Sequence, residues 1–287
     1  MCLLHSLADV YRHNGEFAAG LECLDVLTRI YEKEEESKEL FFMNTLKISE
    51  LHVVKKEYTQ AMDVATSALD MVNSQGLEYN ERLLNRAIAT EQIARILVAQ
   101  AQFHDAILWH KRAHSIRSEI LPETHELVLK SMTQIARIYR KQGEYNKAKA
   151  LFKEMRDKLM KKHGIEHASM ADLLDDLGCV YSEQKDFSSA LRCHKKALEI
   201  RRTCRKEGDQ VHSDIAITLE KIAILCLNRD RILAMKLFSE ALYVLRQNHF
   251  CRQHPVVIRI IREMSTFDHE EDAVESTSVY MQLTKWN

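Results

Sequence analysis

Turn-forming residues are almost missing from this chain, which has seven Gly and two Pro in 287 residues; an average protein devotes roughly 12% of its length to the two. That scarcity excludes sandwich, barrel and Rossmann-type folds, which are rich in tight turns, and leaves long helices. No stretch approaches the roughly 18–20 consecutive apolar residues of a membrane span. The N-terminus MCLLHSLADVYRH has no basic segment leading into an apolar one, so no secretory leader is read there. The seven Cys include no CxxC, which fits reduced thiols better than a disulfide framework or a zinc ribbon. The chain therefore reads as soluble and cytoplasmic. Lys and Arg total 41 against 42 Asp and Glu, too even a balance to drive binding to a phosphate backbone. No P-loop, GxGxxG, GxSxG or HExxH occurs, so the expectation is a non-enzyme with no cofactor.

Present instead are 46% apolar and 29% charged residues, enough to build a core, and an internal repeat. The pattern F/Y-x-x-A/G recurs as Phe17…Gly20, Tyr58…Ala61, Phe103…Ala106, Tyr145…Ala148 and Phe187…Ala190, with a sixth copy at Arg231…Ala234. Twelve residues upstream of each small residue, or eleven in the last copy, lies an apolar-plus-small pair: Leu7-Ala8, Ile48-Ser49, Ile93-Ala94, Ile135-Ala136, Leu177-Gly178 and Ile222-Ala223. Apolar residues spaced by three and four mark one face of a helix, and small residues sit where two helix axes cross too closely for a large side chain. The spacing therefore predicts stacked helix-turn-helix units. A second small residue returns to the same face seven positions on at Ala68, Ala113, Ala197 and Ala241, with Leu27 and Met155 in copies one and four.

These motifs resemble the tetratricopeptide repeat, and the period of 41–45 residues, with phrases such as GEYNKAKALFKEM and KDFSSALRCHKKALEIRR, is similar to the long-helix variety of kinesin light chains. The resemblance implies an all-α, right-handed α-α superhelical solenoid. Six helix pairs are expected at about 2–33, 40–73, 83–120, 126–162, 168–204 and 213–247, with a half repeat at 254–267 opened by His254-Pro255, so that the solenoid spans 1–267. Residues 268–287 read as an acidic tail or a capping helix. A His also stands eleven residues before Ala136, Gly178 and Ala223, at His125, His167 and His212. Where kinesin light chains carry Asn-Asn before the apolar-small pair, this chain has His5-Ser6, Glu91-Gln92, Thr133-Gln134, Asp175-Asp176 and Glu220-Lys221, so cargo recognition of that type does not carry over. Met1 falls at the start of a first helix with no polar cap before Leu3 and Leu4; the expectation is a fragment or isoform of a longer protein, or an end covered by another surface.

Two groups of residues have metal-ligand spacing, His110/His114 and His249-x-Cys251-x2-His254, but neither has a third and fourth ligand. His110 falls in the slot held by Phe152 and Phe238 in copies four and six, which points to packing, and no metal is expected. In this family the first helices line the concave groove. There, copy four presents Lys130, Gln134, Arg137 and Lys141, and copy five presents Asp172, Asp176, Cys179 and Glu183; Arg95 and Arg140 extend the basic part, and Met43, Val53, Val54, Ile88 and Ala99 are apolar. This pattern fits an extended or helical peptide with acidic residues beside an apolar anchor. The plainer reading is that Lys130 with Asp172, and Lys141 with Glu183, pair along the stack, where exposed pairs contribute roughly 0–1 kcal/mol. The functional expectation is an adaptor or scaffold that binds a protein partner. The alternative is a structural subunit of a larger transport- or cilium-related assembly, its groove filled by its own tail or a neighbour.

Overall fold

The computed structural model describes residues 2–33, 38–74, 78–164, 167–204, 213–248 and 254–265. Gly76, Gly208, His212, His249, Cys251 and the segment 268–287 lie outside the described residues. Among those described there are thirteen helices and no strand. In chain order they are α1 (Cys2–Asn14), α2 (Phe17–Tyr31), α3 (Lys38–Val54), α4 (Tyr58–Ser74), α5 (Tyr79–Ala99), α6 (Phe103–Ile120), α7 (Glu126–Lys141), α8 (Tyr145–His163), α9 (Ala168–Glu183), α10 (Phe187–Thr203), α11 (Ser213–Cys226), α12 (Arg231–Gln247) and α13 (Pro255–Ser265). Odd-numbered helices are the first, and even-numbered the second, members of successive pairs. The all-α repeat architecture read from the sequence is the architecture present. α5 starts at Tyr79, four residues ahead of the expected 83.

The chain divides into two compact units, residues 1–151 and 152–287. In the first, Leu24, Leu27 and Leu51 close the core beneath α1, α2 and α3, Phe42 and Val72 that beneath α3 and α4, and Ile93, Ile96, Ala106, Ile135 and Ile138 join α5, α6 and α7. In the second, Leu219, Phe238, Leu242 and Leu245 bury α11 and α12, and Val257 and Ile260 bring α13 onto them. The small residues of the repeat are fully covered, from Ala61 to Ala234. At Gly178 a methyl group would lie 2.6 Å from the His194 ring, so the close crossing of α9 and α10 requires glycine there.

The turn inside each pair repeats as faithfully as the helices. In the first five pairs the residue two before the aromatic slot is left-handed: Gly15 (φ 81), Lys56 (64), Ala101 (60), Gly143 (76) and Lys185 (63). Each turn closes with the same two bonds, seen at the end of α5 as Ala101 N–H to Val98 O (3.1 Å) and Gln102 N–H to Leu97 O (2.8 Å). This two-bond closure of a helix C-terminus is the Schellman motif. The sixth pair has one residue fewer, its turn closes with Asp230 N–H to Cys226 O (2.8 Å), and no left-handed residue is needed. Asp186 and Asp230 cap α10 and α12 by accepting from Ser189 N–H and Leu233 N–H. His125, His167 and His254 cap first helices, each Nδ1 accepting from the N–H two residues on (3.2, 3.3 and 3.4 Å). Of the histidines that stand ahead of the repeats in the sequence, His125 and His167 are thus helix caps.

Candidate functional site

Ionic and polar rungs join the first helices of the first unit side by side. Lys47 on α3 reaches back to Asp9 on α1 (3.4 Å), Gln92 on α5 donates to Ser49 on α3 (3.2 Å), and Arg95 on α5 pairs with Glu50 on α3. In the second unit Lys221 on α11 likewise reaches back to Asp175 on α9 (3.3 Å). Lys47, Gln92 and Lys221 hold one repeat position, two before the small residue. That position is the seam between neighbouring first helices, not the open middle of their face.

This seam decides where the expected groove residues fall. Gln134 and Asp176 occupy the seam position; Gln134 is half-buried and Asp176 is buried. Lys130, Lys141, Arg95, Asp172 and Glu183 are exposed, and Arg137 and Arg140 are half-buried. In the first unit the basic side chains of α5 and α7 follow α3, whose Met43 and Val54 are 41% and 47% exposed. In the second unit Asp172 accepts from Arg201 (2.7 Å), so that acid is already engaged by its own unit.

Buried ion pairs recur at one repeat position that the sequence reading treated only as a departure from Asn-Asn. Glu91 on α5 accepts from Arg117 on α6, which also donates to Ser131 on α7. Asp175 on α9 accepts from Arg201 on α10 (2.7 Å), which also donates to Thr218 on α11. Each group is an acid, an arginine 26 residues on and a hydroxyl of the next first helix, so each bolts one pair to the next. His5 and Tyr31, also 26 apart, keep a neutral version (3.2 Å). The recurrence of that spacing was the available signal. Asp175 further accepts from His194 Nδ1–H (2.7 Å) and from the Thr218 hydroxyl (2.9 Å). Burial opposes its ionisation, but the His194 bond and the charges of Lys221 and Arg201 prevail and hold its carboxyl well below the usual carboxylate range. Glu220, at the same position of the next pair, accepts from Arg259 Nε–H and Nη2–H, each at 2.8 Å.

His110 and His194 both fill the buried slot taken elsewhere by Phe152 and Phe238. His194 bonds Asp175, whereas the His110 Nδ1 is buried with no hydrogen-bond partner among the described residues. Burial lowers the His110 pKa to about 4, with the charge of Arg117 acting in the same direction and that of Glu91 against it. It is a packing residue kept neutral. Among the described residues no three His, Cys, Asp or Glu side chains gather in a way that could hold a metal, and no helix is long and apolar enough to cross a membrane.

Stacked helix pairs whose face of first helices is held by polar rungs define an α-helical solenoid of the class that presents surfaces to proteins and peptides. Residues 85–161 and 170–203 match models of the tetratricopeptide repeat, so these segments of the chain carry tetratricopeptide repeats. No curated protein matches it. Among solved structures it is similar to BtubC (BKLC) of P. vanneervenii, at 16% identity over 83% of this chain and 92% of that one, TM-score 0.62. It is similar also to a putative kinesin light chain of Podosopora anserina with nearly identical TPR-like repeats, at 16% identity, 75% and 98% coverage and TM-score 0.53. A third is NprR, a quorum sensor of B. thuringiensis, in complex with its cognate peptide NprX, at 15% identity, 99% and 77% coverage and TM-score 0.58. At such identities the likeness is one of fold.

Proposed function

We propose that the chain is a non-catalytic adaptor that binds a peptide segment of a partner protein along the first-helix face of residues 1–151. The observation that carries this reading is that first helices of this unit present exposed apolar Met43 and Val54, on α3, and exposed Lys130 and Lys141, on α7. An apolar anchor would sit against α3 and acidic side chains would reach the cations of α7, with Arg95 of α5 at the edge, held by Glu50. Arg137, Arg140 and Gln134 flank that basic part. The proposed site is confined to residues 1–151, so Asp172, Asp176 and Glu183 fall outside it; of these Asp172 is engaged by Arg201 and Asp176 is buried. NprR, a structural neighbour, holds a peptide, which supports the same use of the fold here.

A selection from displayed peptides tests the reading. Enrichment of sequences with an apolar residue beside two or more acids, lost against Lys130→Glu/Lys141→Glu, is expected; peptides that bind the variant equally well would remove the basic helix from the proposal. A second reading, a subunit of a larger assembly, rests on α1, where Leu3, Leu7 and Val10 form a stripe 84%, 39% and 52% exposed. Concentration-dependent association in sedimentation, abolished by Leu3→Glu/Val10→Glu, would favour it over a free adaptor.

A further inference from the structure

Counted from the small residue near the start of each second helix, the positions two, five, nine and twelve residues on fall in one stripe along the helix. On α2, counted from Gly20, they are Glu22, Asp25, Arg29 and Glu32; on α10, counted from Ala190, they are Arg192, Lys195, Glu199 and Arg202. All eight side chains are exposed. The signs run minus, minus, plus, minus on α2 and plus, plus, minus, plus on α10, a reversal at every position. No other second helix carries four charges there. α4 has Asp63, Thr66, Asp70 and Asn73, and α12 has Lys236, Ser239, Tyr243 and Arg246, so the second helix that follows each row adds charge only of that row's predominant sign. Among the described residues the four charges of α2 enter no ion pair. On α10, Arg192 donates to Ser189 (3.0 Å), Glu199 pairs with Lys196 (3.0 Å), and Arg202 pairs with Glu240, which ties α12 to α10.

We infer that a second copy of the chain docks here, α2 of one copy lying parallel to α10 of the other with the two rows in register. Glu22 then meets Arg192, Asp25 meets Lys195, Arg29 meets Glu199 and Glu32 meets Arg202. Turning one helix end for end would set Asp25 against Glu199 and Arg29 against Lys195. Sliding it by one place either way also brings two like-charged pairs together, and neither row laid fully on itself avoids such pairs. Like charges set face to face are costly at a contact, so the rows specify both the direction and the register of the partner. A bilayer or a nucleic acid, anionic throughout, would meet Glu199 in the middle of the α10 row, whereas Arg29 of a second copy answers it. Exposed ion pairs are weak singly, so the contact is reversible and salt-sensitive. It uses neither the first-helix face proposed for peptides nor the apolar stripe of α1.

Charge exchange in the full chain tests the inference by sedimentation velocity, with circular dichroism as the check of folding. The parent should associate as its concentration rises to about 200 µM in about 50 mM salt, and less so in about 500 mM. Glu22→Lys/Asp25→Lys and Arg192→Glu/Lys195→Glu should each associate at least about tenfold more weakly when alone. An equimolar mixture of the two should recover the parent's affinity to within about threefold, because each variant supplies the complement of the other's altered row. Leu3→Glu/Val10→Glu should leave this association unchanged. A parent that stays monomeric throughout, single variants that associate as the parent does, a mixture that fails to recover, or association abolished by the α1 variant would overturn the inference.

Discussion

At the scale of single residues, the packing of small side chains against titratable ones governs the interior. Gly178 lies under the His194 ring, and that ring is held in place by its bond to Asp175. Ala is favoured over Gly inside a helix by roughly 1 kcal/mol, yet Gly178→Ala should destabilise the chain by about 1–3 kcal/mol in urea denaturation, because the ring cannot yield. A stabilised variant would show that the α9–α10 crossing is looser than described. His110 makes a prediction in pH. Its pKa is lowered from 6.5 to about 4 by burial, so the folded chain prefers the neutral ring. Its contribution is complete above pH 6.5 and is lost as pH falls from there toward 4, by up to about 3 kcal/mol. His110→Phe, which copies the residue of repeats four and six, should flatten the stability profile over that window. A profile of unchanged slope would place the titration elsewhere. Asp175, with its pKa lowered, acts in a separate window, its contribution being lost only as pH falls below the ordinary carboxylate range.

At the scale of elements, the turn between paired helices is the repeated unit as much as the helices are. Lys56, Ala101 and Lys185 take the left-handed conformation that Gly15 and Gly143 take without steric cost. Ala101→Gly should therefore raise stability by about 0.5–1 kcal/mol, read as a shift of the denaturation midpoint with the slope unchanged; a loss of stability would contradict the account of the turn. The helix pattern was legible because small residues at a helix crossing tolerate little variation, so they recur in register. The turns were less so, since a two-bond C-terminal closure accepts Lys or Ala as well as Gly. The buried acid–arginine–hydroxyl groups were not read at all. Glu91, Arg117 and Ser131 lie on three successive helices, and no local pattern joins them; only comparison of Glu91–Arg117 with Asp175–Arg201 shows the shared spacing of 26. The burial of Asp176 was illegible for a related reason. Helical periodicity puts that position on the first-helix side, yet Asp176 is buried, as is Gln92 at the same repeat position.

At the scale of the whole molecule, the near-absence of Gly and Pro and the even charge balance describe a chain spent on stacking. What it offers to others is the surface of the stack. That surface is not uniform: α7 carries Lys130, Arg137, Arg140 and Lys141 against the single acid Glu126, while α9 carries Asp172, Asp175, Asp176 and Glu183 with no base. Asp172 and Asp175 of α9 are drawn into internal bonds with Arg201, His194 and Lys221, whereas Lys130 and Lys141 of α7 are exposed, which leaves a basic first-helix surface in the same unit as the apolar one of α3. The proposed binding therefore rests on that surface and on charge. Its most direct measurement is the affinity of one selected acidic–apolar peptide for the parent chain and for Lys130→Glu/Lys141→Glu, each at 50 and 200 mM salt. The predicted result is binding by the parent that weakens with salt and is at least about tenfold weaker in the variant, near 1.4 kcal/mol. Equal affinity of the two proteins at both salt concentrations would contradict it.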